Sequence, residues 1–225
     1  MLVVLAQDAV NMCPMFEMTA KNGLSTNLAT SVRKLLSQSI PKERKLILNQ
    51  IIEFAKLKRS QSESLQLVFI CTHNSRRSQL AEVWAQTAAN IFGVNARCSS
   101  GGVEVTAFYP MAIRTLADAG FLTEYESTPN PMIQIRQSEE AAPMLCRSKL
   151  FDDVSIPQSG FAAIMTCSEA DENCPFIPGA EIRIPLRYED PKIFDGTESA
   201  ASAYRERSEQ IGAEMLYLFS KISNS

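Results

Sequence analysis

The residue types best suited to chemistry lie together in one octapeptide, Cys71-Thr72-His73-Asn74-Ser75-Arg76-Arg77-Ser78. It follows a short apolar run and precedes an amphipathic stretch, so the local order reads strand, loop, helix. Successive backbone N–H groups in such a loop converge on a tetrahedral anion, and the start of the helix adds its positive end. Cys71, at the strand's carboxyl end, stands where the same N–H groups would stabilise a thiolate, the nucleophilic form of cysteine. Arg77 lies six positions on, so the loop can curl its guanidinium over the anion and clamp two oxygens together. Asn74 and Ser78 are short polar residues that can fix the loop and donate a hydrogen bond to the sulfur. Thr72, His73, Ser75 and Arg76 complete the expected oxyanion-binding segment. A buried structural cysteine beside an ordinary helix start would explain neither the two arginines nor the run of hydroxyl and amide side chains.

The elements that must hold this loop alternate in type. Leu65–Ile70 is a β-rich apolar run, as a central parallel strand requires. Ser78 to Phe92 is helical, with Leu80, Trp84, Ala88 and Ile91 as its apolar stripe. A strand over Val94–Ser99 leads into Ser99-Ser-Gly-Gly102, and a helix from Pro110 to Ala119 is stopped by Gly120. Phe161–Cys167 and Glu181–Leu186 are further strands, and a last helix spans Thr197 to Ile222. Strands alternating with helices predict an α/β fold, a three-layer sandwich around a central parallel sheet. Residues 123–160 show no clean periodicity and read as an insertion. Ahead of this unit, residues 27–38 and the stretch from Pro41 to Lys58 are helical, and the polar Arg59–Ser64 reads as a linker. The division expected is a helical N-terminal extension over 1–62 and a catalytic unit over 63–225.

Cys-x5-Arg-Ser directly after a strand resembles the pattern of the low-molecular-weight protein tyrosine phosphatases and of the arsenate reductases that share their fold. Three features are similar to the reductase branch. Gln79-Leu-Ala-Glu82 follows the loop where the phosphatases typically carry Pro. Cys167-Ser-Glu-Ala-Asp-Glu-Asn-Cys174-Pro175 resembles the redox segment of thioredoxin-coupled arsenate reductases, and its spacing does not suit a zinc knuckle. Glu189-Asp190-Pro191 matches the family's Asp-Pro loop, but Lys192 follows where the phosphatases place an aromatic. The resemblance implies that Cys71 attacks arsenate held by Arg77 and the loop while Asp190 protonates the departing oxygen. It further implies that Cys167 attacks Cys71 and that Cys174 resolves the product, with thioredoxin as external reductant and no tightly bound cofactor. The alternative it implies is a phosphotyrosine protein phosphatase forming a Cys71 phosphocysteine. Two loop residues depart from the reductase pattern. His73 replaces a common Gly, which asks for a positive φ at His73 or another loop shape, and Arg76 replaces a second Cys. Arg147 and Lys149 are read as solvating a loop, with the mouth of the anion site as the other option.

Composition bounds the remaining possibilities. The chain has 225 residues, is 45% hydrophobic and 21% charged, and carries a net charge of −3. Residues 1–62 hold nine Lys/Arg against four Asp/Glu, and the rest hold 13 against 21. That asymmetry falls short of a dedicated nucleic-acid binder. The apolar runs are too short for a membrane span, and the opening Met1–Ala6 lacks the features of an export signal. A cytoplasmic protein is the expectation. Six cysteines in a reducing compartment are then buried hydrophobes or reactive thiols and not a disulfide framework. Cys98 is expected in the core, while Cys13 and Cys146 have no partner at meaningful spacing. His73 is the single histidine, so no Ser-His-Asp triad and no His-based metal site is expected. The N-terminal helices are expected to pack on the rest of the chain or to form a homodimer.

Overall fold

A computed structural model describes residues 23–173 and 176–224. The two N-terminal helices are α1 (Thr26–Leu36) and α2 (Lys42–Ser60). The chain then runs β1 (Leu65–Cys71), α3 (Arg77–Phe92), β2 (Ala96–Gly102), α4 (Pro110–Asp118), β3 (Leu122–Glu124), β4 (Ile133–Arg136) and β5 (Met144–Cys146). It continues with β6 (Phe161–Met165), the short helix α5 (Ser168–Asn173), β7 (Ala180–Ile184), a 3-10 turn at Pro191–Phe194 and α6 (Ala200–Ser223). Four strands form a parallel sheet in the order β2-β1-β6-β7, as expected of the α/β class. The strands β3, β4 and β5 form a separate antiparallel sheet over residues 122–146, most of it in the stretch that showed no clean periodicity.

The sheet is covered on both faces because its side chains alternate. Leu65, Leu67 and Phe69 of β1 enter one apolar cluster with Ala162, Ile164 and Ile184. Val68 and Ile70 enter a second cluster on the opposite face with Ala163 and Met165. The larger cluster is closed by α3 and α6, whose Trp84, Tyr204 and Phe219 are fully buried. Helices α1 and α2 add Leu28, Val32, Leu48 and Ile51 to that same cluster. Ser25 caps α1 by accepting from the Leu28 N–H at 3.2 Å, and its hydroxyl donates to the Gly120 carbonyl at 2.7 Å. No helix among the described residues is long and apolar enough to cross a membrane.

Strand β2 runs to Gly102, beyond the Ser99 limit predicted from the sequence. Gly101 and Gly102 pair with Ile70 and Cys71 of β1. A Cβ on Gly102 would lie 2.7 Å from the Asn74 nitrogen and 2.8 Å from the Thr72 oxygen, so the missing side chain lets the strand pass directly behind the loop. In open α/β sheets ligands bind beyond the strands' carboxyl ends, where the connections diverge to either side. Here β1 has β2 on one side and β6 on the other. Its carboxyl end is Cys71, and Cys167 lies two residues past the end of β6.

Candidate active site

The loop 71–78 leaves β1 and turns into α3 under the control of Asn74. Its φ is +45°, a left-handed conformation that Asn tolerates better than most residues. The positive φ falls on Asn74 and not on His73, so the loop takes the second of the two shapes that the His73 substitution allowed. Asn74 Nδ2 donates to Ser78 Oγ at 2.9 Å and to Ser100 Oγ at 2.8 Å, and Gln79 Nε2 donates to the Asn74 carbonyl at 3.0 Å. Ser78 Oγ lies 3.0 Å from Cys71 Sγ. Ser78 Oγ accepts from the Asn74 amide and keeps its own O–H, which can donate to the sulfur. Ser75 is tied by its hydroxyl to the Ala107 carbonyl at 2.6 Å. The His73 ring sits at 3.2 Å from Glu104 Oε2 on the exposed side, while its carbonyl accepts from Ser148 Oγ at 2.9 Å.

The two arginines have different tasks. Arg77 Nη2 lies 2.5 Å from Asp190 Oδ2, and its Nη1 donates to the Tyr188 carbonyl at 3.1 Å. Its Nε is buried without a hydrogen-bond partner among the described residues. A buried guanidinium donor is expensive to leave unpaired, so this N–H is the group on the loop's arginine disposed to meet an anion. Arg76 turns the other way. Its Nη2 pairs with Asp195 Oδ2 at 2.7 Å, its Nε donates to Tyr204 Oη at 2.5 Å, and its Cζ stacks 3.9 Å from the centroid of the Tyr109 ring. Consecutive loop arginines therefore hold both ends of segment 190–195. Asp190 also accepts from the Lys192 N–H at 3.0 Å, which caps the 3-10 turn.

Cys167 reaches the loop from β6. Its sulfur is 3.5 Å from Thr72 Oγ1 and accepts from the Ala170 N–H at 3.3 Å. Cys71 and Cys167 belong to the same apolar cluster, and each is almost fully buried. The helix α5 that follows Cys167 is anchored through Asp171, on which Arg183 and Arg187 both converge, Arg187 Nε at 2.6 Å. Cys174 lies outside the described residues. Cys98 and Cys146 are buried in the core, where desolvation pushes both thiols up and keeps them protonated.

Behind the loop stands a group of residues that sequence reasoning missed. Glu82, one helical turn beyond Ser78 on α3, is buried and accepts from Ser100 Oγ at 2.5 Å. Desolvation raises its carboxyl, and the nearby Lys149 and the Ser100 hydroxyl work against that rise. Lys149 was expected to solvate a loop; instead it is 5% exposed, with Nζ 3.9 Å from Glu82 Oε2. Its backbone N–H donates to Asn74 Oδ1 at 2.9 Å. Arg147 pairs with Asp153 at 2.9 Å. A continuous hydrogen-bonded chain thus runs from Glu82 through Ser100, Asn74 and Ser78 to Cys71. Its one sequence signal was the helical spacing of Ser78 and Glu82. Among the described residues no cluster of three or more His, Cys, Asp or Glu is placed to hold a metal ion.

A buried cysteine sulfur at the end of a strand, an arginine with an unspent donor and a carboxylate facing that arginine are the groups that nucleophilic attack on a tetrahedral oxyanion requires. The family model for low molecular weight phosphotyrosine protein phosphatase matches residues 66–138. An arsenate reductase of Staphylococcus epidermidis is 31% identical over 150 residues, covering 63% of this chain and 96% of that protein. An arsenate reductase of Bacillus licheniformis is 28% identical over 141 residues, covering 63% of this chain and 84% of that protein. Among solved structures, a low molecular weight phosphotyrosine phosphatase from Vibrio cholerae aligns with a TM-score of 0.49 at 15% identity, over 70% of this chain and 95% of that one. An arsenate reductase from Archaeoglobus fulgidus aligns with a TM-score of 0.45 at 20% identity, over 68% of this chain and 98% of that one.

Proposed function

This chain belongs to the superfamily that unites the low-molecular-weight phosphotyrosine protein phosphatases with the arsenate reductases, and from that premise we propose that it reduces arsenate through a relay of three thiols. That it is an enzyme of this class follows from its relatives; arsenate as substrate and the relay are our reading. Cys71 attacks the arsenic of an arsenate held by the loop N–H groups and by Arg77. Asp190 gives its proton to the departing oxygen, which leaves as water. Cys167 then attacks Cys71 and arsenite departs. Cys174 attacks Cys167, freeing Cys71, and the dithiol of thioredoxin reduces the Cys167–Cys174 disulfide.

The observation that carries this reading is the position of Cys167. A second buried thiol stands 3.5 Å from the hydroxyl of Thr72, the residue next to the nucleophile. Hydrolysis of a phosphoester has no use for it. The test compares purified protein on arsenate, with thioredoxin and its reductase, against a phosphotyrosine peptide. Arsenate turnover that is abolished by Cys167→Ser supports the relay.

The second reading is a phosphotyrosine protein phosphatase. It is favoured by the contact of Arg77 with Asp190 at 2.5 Å, because clamp, acid and Cys71 suffice to form and hydrolyse a phosphocysteine. Vigorous peptide hydrolysis that survives Cys167→Ser, with no arsenate turnover, establishes this reading and removes the first.

A further inference from the structure

Cys167 must lose a proton before it can attack, and its surroundings offer a defined way out. The side chain is 1% exposed and lies among Ile70, Met165, Ala170 and Ile177, so water does not reach the sulfur. Two groups among the described residues hydrogen bond to it, the Ala170 N–H and the Thr72 hydroxyl. The backbone N–H can only donate. It supports negative charge on the sulfur and cannot take the proton. A hydroxyl both accepts and donates, and the Thr72 hydroxyl is oriented to donate to Glu169 Oε2 at 3.0 Å. Glu169 is exposed and makes no ion pair among the described residues. Sulfur, hydroxyl and carboxylate therefore stand in line from the buried cluster to solvent.

We propose that Thr72 and Glu169 form the proton path that activates Cys167. The Cys167 thiol proton passes to the Thr72 oxygen as the Thr72 proton passes to the Glu169 carboxylate, which releases it to water. The thiolate so formed attacks Cys71 sulfur. A sulfur–sulfur bond forms, the bond from Cys71 to arsenic breaks, and its electron pair stays on arsenic. Arsenic(V) becomes arsenic(III) as two thiols become one disulfide, so the step balances with no further oxidant. This proposal rests on the attack of Cys167 on Cys71 stated above, but not on arsenate being the substrate. Glu169 never touches the reacting sulfur; it acts through Thr72.

The experiment uses the full chain in a Cys174→Ser background, which holds the first disulfide. Hydrogen peroxide converts Cys71 to its sulfenic acid, and Cys167 displaces hydroxide from it to give the Cys71–Cys167 disulfide. The rate read is the conversion of sulfenic acid, trapped with dimedone in parallel samples, into disulfide, followed by peptide mapping. Glu169→Ala is expected to slow this conversion by about tenfold or more, the scale of a lost proton acceptor. Added formate or acetate at fixed pH is expected to restore it in proportion to concentration, a response that a merely structural role does not give. Thr72→Val is expected to slow the step as well, and the double variant to be no slower than Thr72→Val alone, because both act in one chain. Conversion in Glu169→Ala within about twofold of the parent overturns the path. So does a slowing that carboxylates do not restore, or the absence of a Cys71–Cys167 disulfide in the parent. If arsenate is not turned over but the peroxide reaction keeps its dependence on Glu169, the path stands and the substrate assignment falls.

Discussion

Ser78 holds the shortest-range influence on the nucleophile. Its hydroxyl lies 3.0 Å from Cys71 Sγ and is oriented from behind by Asn74. A hydrogen bond to a charged group is worth about 1.5–3 kcal/mol, so Ser78→Ala is expected to slow attack by Cys71 roughly ten- to a hundredfold. Single-turnover kinetics of Cys71 adduct formation check this, with circular dichroism as the control for folding. Arg77→Lys is expected to lose more, since an ammonium cannot hold Asp190 and the Tyr188 carbonyl and still present a further N–H to the anion as the planar guanidinium does. The octapeptide was legible in the sequence because its chemistry is local: thiol, hydroxyls, amide and guanidinium are neighbours in the chain. Ser100, Glu82 and Lys149 were not legible as one group. They meet behind the loop only because β2 passes beside β1 and the 146–150 segment folds back over it. Spacing along the chain cannot report such a meeting.

Helices, strands and loops carry a second tier of control. The segment 188–195 brings Asp190 to the site and is held at several points: by Arg77 on Tyr188 and Asp190, and by Arg76 on Asp195. Tyr188 is fixed in turn by its hydroxyl on Glu214 at 2.8 Å, and Arg44 of α2 binds the same carboxylate at 2.7 Å. Arg76→Ala is expected to loosen the Asp190 loop without touching the nucleophile. The expected outcome is a fall of about tenfold in kcat, with little change in oxyanion affinity measured by phosphate competition. An equal loss of affinity and rate would show instead that Arg76 binds the anion. The main elements were readable because their patterns are long. Helix α3 runs over sixteen residues rich in Ala and is buried on more than the one stripe its sequence suggested, and β1 is apolar except for Gln66. The strands β3, β4 and β5 have three or four residues each. Alternation over so short a span does not stand out from chance.

The molecule as a whole is stabilised by one dominant apolar cluster, to which the N-terminal helices contribute directly. Leu48 is fully buried on α2. Leu48→Ala is expected to destabilise the entire chain by about 2–5 kcal/mol in urea unfolding, with a single transition if the helices and the sheet unfold together. Glu82 adds a pH dependence. Burial raises its carboxyl in the native state, so the native chain holds this proton to higher pH than the unfolded chain does. Its contribution to stability is therefore greatest below the ordinary carboxylate range and declines as pH rises through the raised native value. Glu82→Gln is expected to flatten that decline, as unfolding midpoints compared across pH would record. From sequence, the linker-like Arg59–Ser64 suggested a boundary, but the burial of Leu28, Val32, Leu48 and Ile51 depends on partners far along the chain and could not be read there.

The order in which the thiols react separates a thiol relay from simple hydrolysis most directly. Full-length protein is mixed with a stoichiometric amount of arsenate without thioredoxin, quenched in acid at intervals, and mapped by mass spectrometry. The prediction is a Cys71–Cys167 disulfide at early times that gives way to Cys167–Cys174, with one arsenite released per chain. Arsenite release with neither disulfide, or a phosphoenzyme at Cys71 with no reaction of arsenate at all, would contradict it.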